Sequence, residues 1–242
     1  MQQILSVEEE FKDEIELLWN NEKYSDIKIV ERGYGIHDKI IKDSILFIGI
    51  NPSFTKNSKS GNYFIKLDQD AKTNDGKSYA YFKKFVDITN KLNNKREIDQ
   101  KLQWSHLDLL FHRETQQHFI DSLKKEKNGI EFISSQLKIT EKILLKSSPK
   151  IIVVSNAKAR DFLKSKDYKI SIGLDFKFDE ELGTEVVINN PELENTPIFF
   201  TSMLTGQRAL DKGSYKRLIW HIDYVLSKLN KPVTNQDRYS QL

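Results

Sequence analysis

The chain has 242 residues, with 38 Lys and Arg against 35 Asp and Glu, a formal net charge of +3, and no cysteine. The missing cysteines exclude disulfides, thiolate metal sites and cysteine nucleophiles, a composition at ease in a reducing cytoplasm. Fourteen Phe, nine Tyr and three Trp exclude a disordered chain, and the near-cancellation of charge permits a nucleic-acid partner without demanding one.

Met1 to Trp19 is acidic and periodic where a signal peptide is basic then apolar, so a helix is expected there. Ser6 and Glu9 make a capping-box pattern, and Phe11, Ile15, Leu18 and Trp19 recur at helical spacing. Tyr24 to Asp43 is mixed, around a Gly33-Tyr34-Gly35 turn. Ile45 to Ile50 is an unbroken apolar run, far too short to span a bilayer, that predicts a strand covered on both faces. Thr55 to Asp75, rich in Lys, Asn, Ser and Gly, predicts a long, mobile loop of the kind that is either functional or disordered.

A helix with Tyr79, Phe82, Phe85, Val86 and Ile88 on its apolar face follows, then a second core strand over Leu107 to Phe111. His118 to Ser148 reads as helix, stopped by Pro149. Ile151 to Val154 is a third core strand, leading at once into a helix over Ala157 to Leu163. Lys169 to Asn190 alternates as an antiparallel edge hairpin would, Pro197 to Thr201 is a fourth core strand, and a last helix runs from Ser214 to Leu229 before a polar tail beyond Pro232. The expected architecture is one domain with its core over about residues 42–229: a three-layer α/β/α sandwich with a central four-stranded parallel sheet plus an edge hairpin.

Ligands of open α/β sheets sit beyond the carboxyl ends of the strands. Those ends carry Asn51-Pro52-Ser53, His112-Arg113-Glu114, Ser155-Asn156 and Ser202 to Arg208, all polar segments. Gly49 permits close approach to the backbone, and Pro52 pushes Asn51 towards an extended conformation, holding its amide in a set direction. Asn-Pro also makes an ordinary strand-to-loop turn. His106, His112 and His118 recur at a spacing of six, which fits no helical metal pair; Gly-x-Ser-x-Gly and the further glycines of a dinucleotide loop are absent. No metal and no cofactor is expected.

Ile45 to Ser53 (ILFIGINPS) resembles the first motif of the uracil-DNA glycosylase superfamily, and most nearly that of its mismatch-specific uracil and thymine glycosylases. Ser202-Met203-Leu204-Thr205-Gly206-Gln207-Arg208 is similar to the second motif of that branch, Leu107 to Arg113 to its second strand, and Pro149 to Ala157 to its third. Departures are Ser53 for a glycine, Leu204 for a proline, and Asp108 where relatives carry an asparagine that reads the base.

The resemblance implies a uracil-DNA glycosylase-like fold and hydrolysis of the N-glycosidic bond of a damaged or mispaired base swung out of DNA, in a cytoplasmic, monomeric repair enzyme. Asn51 and Asp108 would be its catalytic residues: Asn51 holding the water, and Asp108, if ionised and therefore only an acceptor, reading a donor-rich base edge. Gly49, Ile50, Pro52, Ser53 and Phe54 would border the base, with backbone N–H groups near Ile50 and Phe54 meeting it. Phe64 is favoured over Phe54 and Tyr63 to stack on it. Ser202, Met203, Leu204, Thr205, Gly206, Gln207, Arg208 and Lys212 would meet DNA, the loop around Leu204 entering the duplex. The alternatives are a nucleic-acid-binding protein of the same fold without catalysis, and an N-glycoside hydrolase for free nucleosides or nucleotides.

Overall fold

The computed structural model describes residues 2–95, 101–116, 118–206 and 209–229. Its strands and helices run in the order β1 (Ile4–Ser6), α1 (Val7–Trp19), β2 (Gly35–His37), β3 (Lys39–Ile41), β4 (Ile45–Gly49), β5 (Tyr63–Ile65), α2 (Lys83–Asn93), β6 (Trp104–Asp108), α3 (Phe119–Leu123), α4 (Gly129–Ser147), β7 (Ile151–Val154), α5 (Ala157–Leu163), β8 (Phe176–Asp179), β9 (Thr184–Val187), β10 (Pro197–Phe200) and α6 (Lys212–Leu229).

The fold is mixed α/β, built on a six-stranded sheet in the order β6-β4-β7-β10-β9-β8. β6, β4, β7 and β10 pair in parallel, and the antiparallel hairpin of β8 and β9 continues the same sheet along β10. The four expected parallel strands and the expected edge hairpin thus make one six-stranded sheet.

Alternation along each parallel strand divides the core. Leu46, Ile48, Ile152, Val154 and Ile198 face Phe11 and Ile15 of α1, Phe132 and Leu137 of α4 and Phe162 of α5. Ile45, Phe47, Ile151, Val153 and Phe199 face Phe85 and Ile88 of α2 and Ile219 and Ile222 of α6. Strands so covered need apolar residues at every position, and the ring of Phe47 stacks on Phe85 at 4.1 Å.

Three expectations shift. The second core strand is Trp104–Asp108, with Leu109 to Phe111 buried just past its end. Those three residues hydrogen-bond off the ladder: Leu109 and Leu110 donate to the carbonyls of Gly49 and Ile50, and Phe111 to Gln136 Oε1. The helix read over His118 to Ser148 is two helices, because Asn128 turns left-handed (φ 62°) and Gly129 passes so near the Leu123 carbonyl that a Cβ would sit 1.7 Å from that oxygen. The long loop after Thr55 contains β5, which pairs in parallel with β2; the short antiparallel pair β1 and β3 was not anticipated. The tail expected beyond Pro232 lies outside the described residues. Among the described residues no helix is long and apolar enough to cross a membrane.

Candidate functional site

The parallel strands end together. Gly49 pairs with Asp108 across β4 and β6, Ile48 with Val154 across β4 and β7, and Phe200 with Val154 across β10 and β7. The chain segments beyond these pairs form the rim where the site was expected.

Asn51 leaves β4 partly buried, and its Nδ2 donates to the carbonyls of Pro52 (3.0 Å) and Glu114 (2.6 Å). Two carbonyls can be met only by the NH₂ group, so the flip of the amide is fixed. Oδ1 is left aimed elsewhere with no donor among the described residues, able to accept from a water or a substrate. Glu114 is itself anchored: its carboxylate takes Arg32 Nη1 at 2.6 Å and the N–H groups of Thr115 and Gln116, and its N–H reaches the Pro52 carbonyl. Those hydrogen bonds outweigh its partial burial and hold the Glu114 carboxyl below the usual carboxylate range.

Ser53 is exposed, and Phe54 lies against two guanidinium groups, Arg32 and Arg113, each 5.0 Å from its ring centre. The Phe54 N–H, expected to meet a base, is taken by Thr115 Oγ1 at 3.2 Å. Phe64 stands in β5 against the larger core, edge-on to Tyr34 at 5.8 Å, so its ring belongs to a packed strand and not to a free loop. Ile50 is buried in the same core, and Pro52 abuts Gly35.

Asp108 closes β6 on the opposite face. Its side chain is 12% exposed, and its nearest charged-type neighbour is His106 Nε2 at 3.7 Å, beyond hydrogen-bond length. Burial pushes the Asp108 carboxyl up to about 8. His106 is driven well below 6.5 by burial and by His37, whose ring centre lies 5.1 Å away and which burial alone lowers to about 4. At neutral pH the cluster is therefore uncharged. This corrects the acceptor-only reading of Asp108: a protonated carboxyl donates one hydrogen bond and accepts others, as an asparagine amide does.

Gly49 is the space in which that carboxyl lies, since a Cβ there would fall 2.2 Å from Asp108 Oδ1 and 3.0 Å from His106 Nε2. Tyr81 joins the cluster: its hydroxyl interacts with the Ser155 side chain, and burial together with Asp108 raises the phenol above its usual value, so it too keeps its proton.

Beyond β10, Ser202 and Gly206 are exposed, and Met203 and Thr205 partly so. Leu204 differs: at 4% exposure it packs in the second core with Phe199 and Tyr215. The expectation that Leu204 faces DNA is corrected accordingly, because its side chain is spent anchoring the segment. Gln207 and Arg208 lie outside the described residues. Lys212 is exposed in the first turn of α6.

Sequence reading missed Tyr81, His37 and the Arg32–Glu114 pair, and weighed His106 only as a metal ligand. His106 carried a signal, a polar residue alternating in phase with Trp104 and Asp108. Asn156 proves structural, its Oδ1 capping α5 through Lys158 and Ala159. Among the described residues no group of three or more His, Asp or Glu side chains could hold a metal ion. Neither a protein-family model nor a curated protein matches this sequence.

Proposed function

We propose that the protein is a DNA glycosylase that hydrolyses the N-glycosidic bond of a uracil-like base flipped out of DNA. The observation that carries this reading is Asn51, whose amide is locked by two carbonyls so that one oxygen is left free, two residues beyond the Gly49 that pairs with Asp108.

Asn51 Oδ1 accepts a hydrogen bond from a water and orients it towards C1′ of the extruded nucleotide. The C1′–N bond breaks, its electron pair leaves with the base, the water oxygen bonds C1′, and the water's proton ends on the departing base or in solvent. An amide cannot itself take that proton, so the reaction is slow and relies on stabilising the leaving base. The neutral Asp108 carboxyl supplies a donor beside an acceptor, matching the O4 acceptor and N3–H donor of uracil; an ionised aspartate would match only donors. Tyr81, with its ring partly open to solvent, supplies an aromatic face next to Asp108. The uracil-DNA glycosylase-like form of the sheet is part of the same proposal.

Single-turnover cleavage of oligonucleotides containing uracil, hypoxanthine or a G·T mispair tests it. Uracil is cleaved fastest by the wild-type protein, and Asn51→Ala lowers that rate by about a hundredfold, the scale of one positioned catalytic group. Equal cleavage by both proteins sinks the catalytic role. The burial of Leu204 favours a second reading, a nucleic-acid-binding protein without catalysis, and duplex binding with no cleavage by the wild type is its signature.

A further inference from the structure

Helix α6 turns two different faces outward and inward. Tyr215, Ile219, Ile222, Val225 and Leu226 are buried in the second core. On the outside, Lys212, Lys216, Trp220 and Tyr224 follow one another at steps of four residues, which aligns them as one ridge about 18 Å long.

Trp220 is 62% exposed, whereas Trp19 and Trp104 are buried. Its ring stacks on Tyr224, the planes 13° apart and the centres separated by 5.9 Å. Tyr224 is held in turn, its hydroxyl donating to the Glu181 carbonyl at 3.0 Å and Lys228 lying 5.6 Å from its ring centre. The indole is thus fixed on one side and open on the other.

The charge around it is one-sided. The nearby carboxylates are engaged: Asp223 with Lys95, Glu181 with Lys228, Asp87 with Lys91, and Asp211 capping the helix through the N–H groups of Gly213 and Ser214. Arg217 donates to Ser214 Oγ, while Lys212 and Lys216 have no carboxylate partner among the described residues. Two free ammonium groups leading to an open, propped aromatic face suit a polyanion that also carries flat rings.

We propose that this ridge binds single-stranded nucleic acid, phosphates on Lys212 and Lys216 and a base stacked on Trp220. In a duplex the faces of the bases are covered by their neighbours, so the stacking selects an unpaired strand. The ridge starts at Lys212, where the segment after β10 ends, and its binding does not depend on glycosidic cleavage.

Fluorescence titration of the full chain with oligothymidylate tests this, because the one exposed indole reports on its own face. Binding is expected to quench the emission, and Trp220→Ala to remove the quench and weaken affinity about fivefold to a hundredfold, with Trp220→Phe retaining most of it. Lys216→Ala is expected to lower the slope of log affinity against log salt by about 0.7, one phosphate contact on a single strand. Unquenched emission at saturation, or equal affinity of the Trp220→Ala protein, overturns the proposal. So does concentration-dependent self-association that Trp220→Ala abolishes while oligothymidylate leaves emission unchanged, which would make the ridge a contact between copies of this chain.

Discussion

Asp108→Asn separates the buried cluster from the rest of the protein's titration. Folded, His37 and His112 lie near 4 and His106 well below its ordinary value, against 6.5 in the unfolded chain. The unfolded chain then binds protons that the native state refuses, so these imidazoles make stability climb as pH rises through 6.5 and level off about one unit above it. Asp108 acts in the opposite sense. Its native carboxyl keeps a proton up to about pH 8, while the unfolded carboxyl loses it near 3.8. Stability falls over that range by about 1.4 kcal/mol per pH unit.

Below pH 6.5 three imidazoles outweigh one carboxyl; towards pH 8 their contribution levels off and that of the carboxyl persists. The wild type should therefore be most stable near pH 7, and the carboxyl alone should cost it roughly 1.5 kcal/mol between pH 6.5 and 8, once partial ionisation at the upper end is included. Asparagine has the same shape and donates and accepts without titrating, so the variant should gain roughly 1 kcal/mol over that interval, as the unfolded imidazoles finish losing their protons. Urea unfolding at a series of pH values reads both curves. Parallel declines in the two proteins would refute the placement of a neutral, buried carboxyl at residue 108.

Two further substitutions probe the surroundings. Gly49→Ala drives a methyl into Asp108 Oδ1 and should cost about 1–3 kcal/mol, most of it absent in an Asp108→Ala background; additive costs in a double-mutant cycle would mean that the two residues are not in contact. Leu204→Ala should cost about 2–5 kcal/mol in urea unfolding and leave duplex affinity of the folded protein unchanged. A variant of wild-type stability with weakened DNA binding would return Leu204 to the duplex.

What could be read from the chain follows from which interactions are local. Ile45 to Gly49, Ile151 to Val154 and Pro197 to Phe200 announce themselves because strands covered on both faces must be apolar throughout. β6 was displaced towards Leu109 to Phe111 because Ser105 and His106, though buried, look like surface residues in a one-dimensional pattern. β1, β2, β3 and β5 have three residues each, too few for a period of two to show. The break before α4 rests on the left-handed Asn128 and the close passage of Gly129 under Leu123, a contact that no spacing rule contains.

The chemistry of the rim was legible in kind and not in state. The Asn51-Pro52 step marks a fixed amide, but the direction of that amide depends on the Glu114 carbonyl, 63 residues away, and the carbonyl's position on the Arg32 pair. Asp108 is legible as an acid; its neutrality comes from the aromatic and imidazole rings that α2, β2 and β6 bring around it with no cation among them. Burial thus converts a residue that would repel an acceptor into one that donates to it, as long as the helix face of α2 stays closed over the sheet. On the proposed reading, the base edge that the rim would accept is accordingly set by packing as much as by the identity of residue 108.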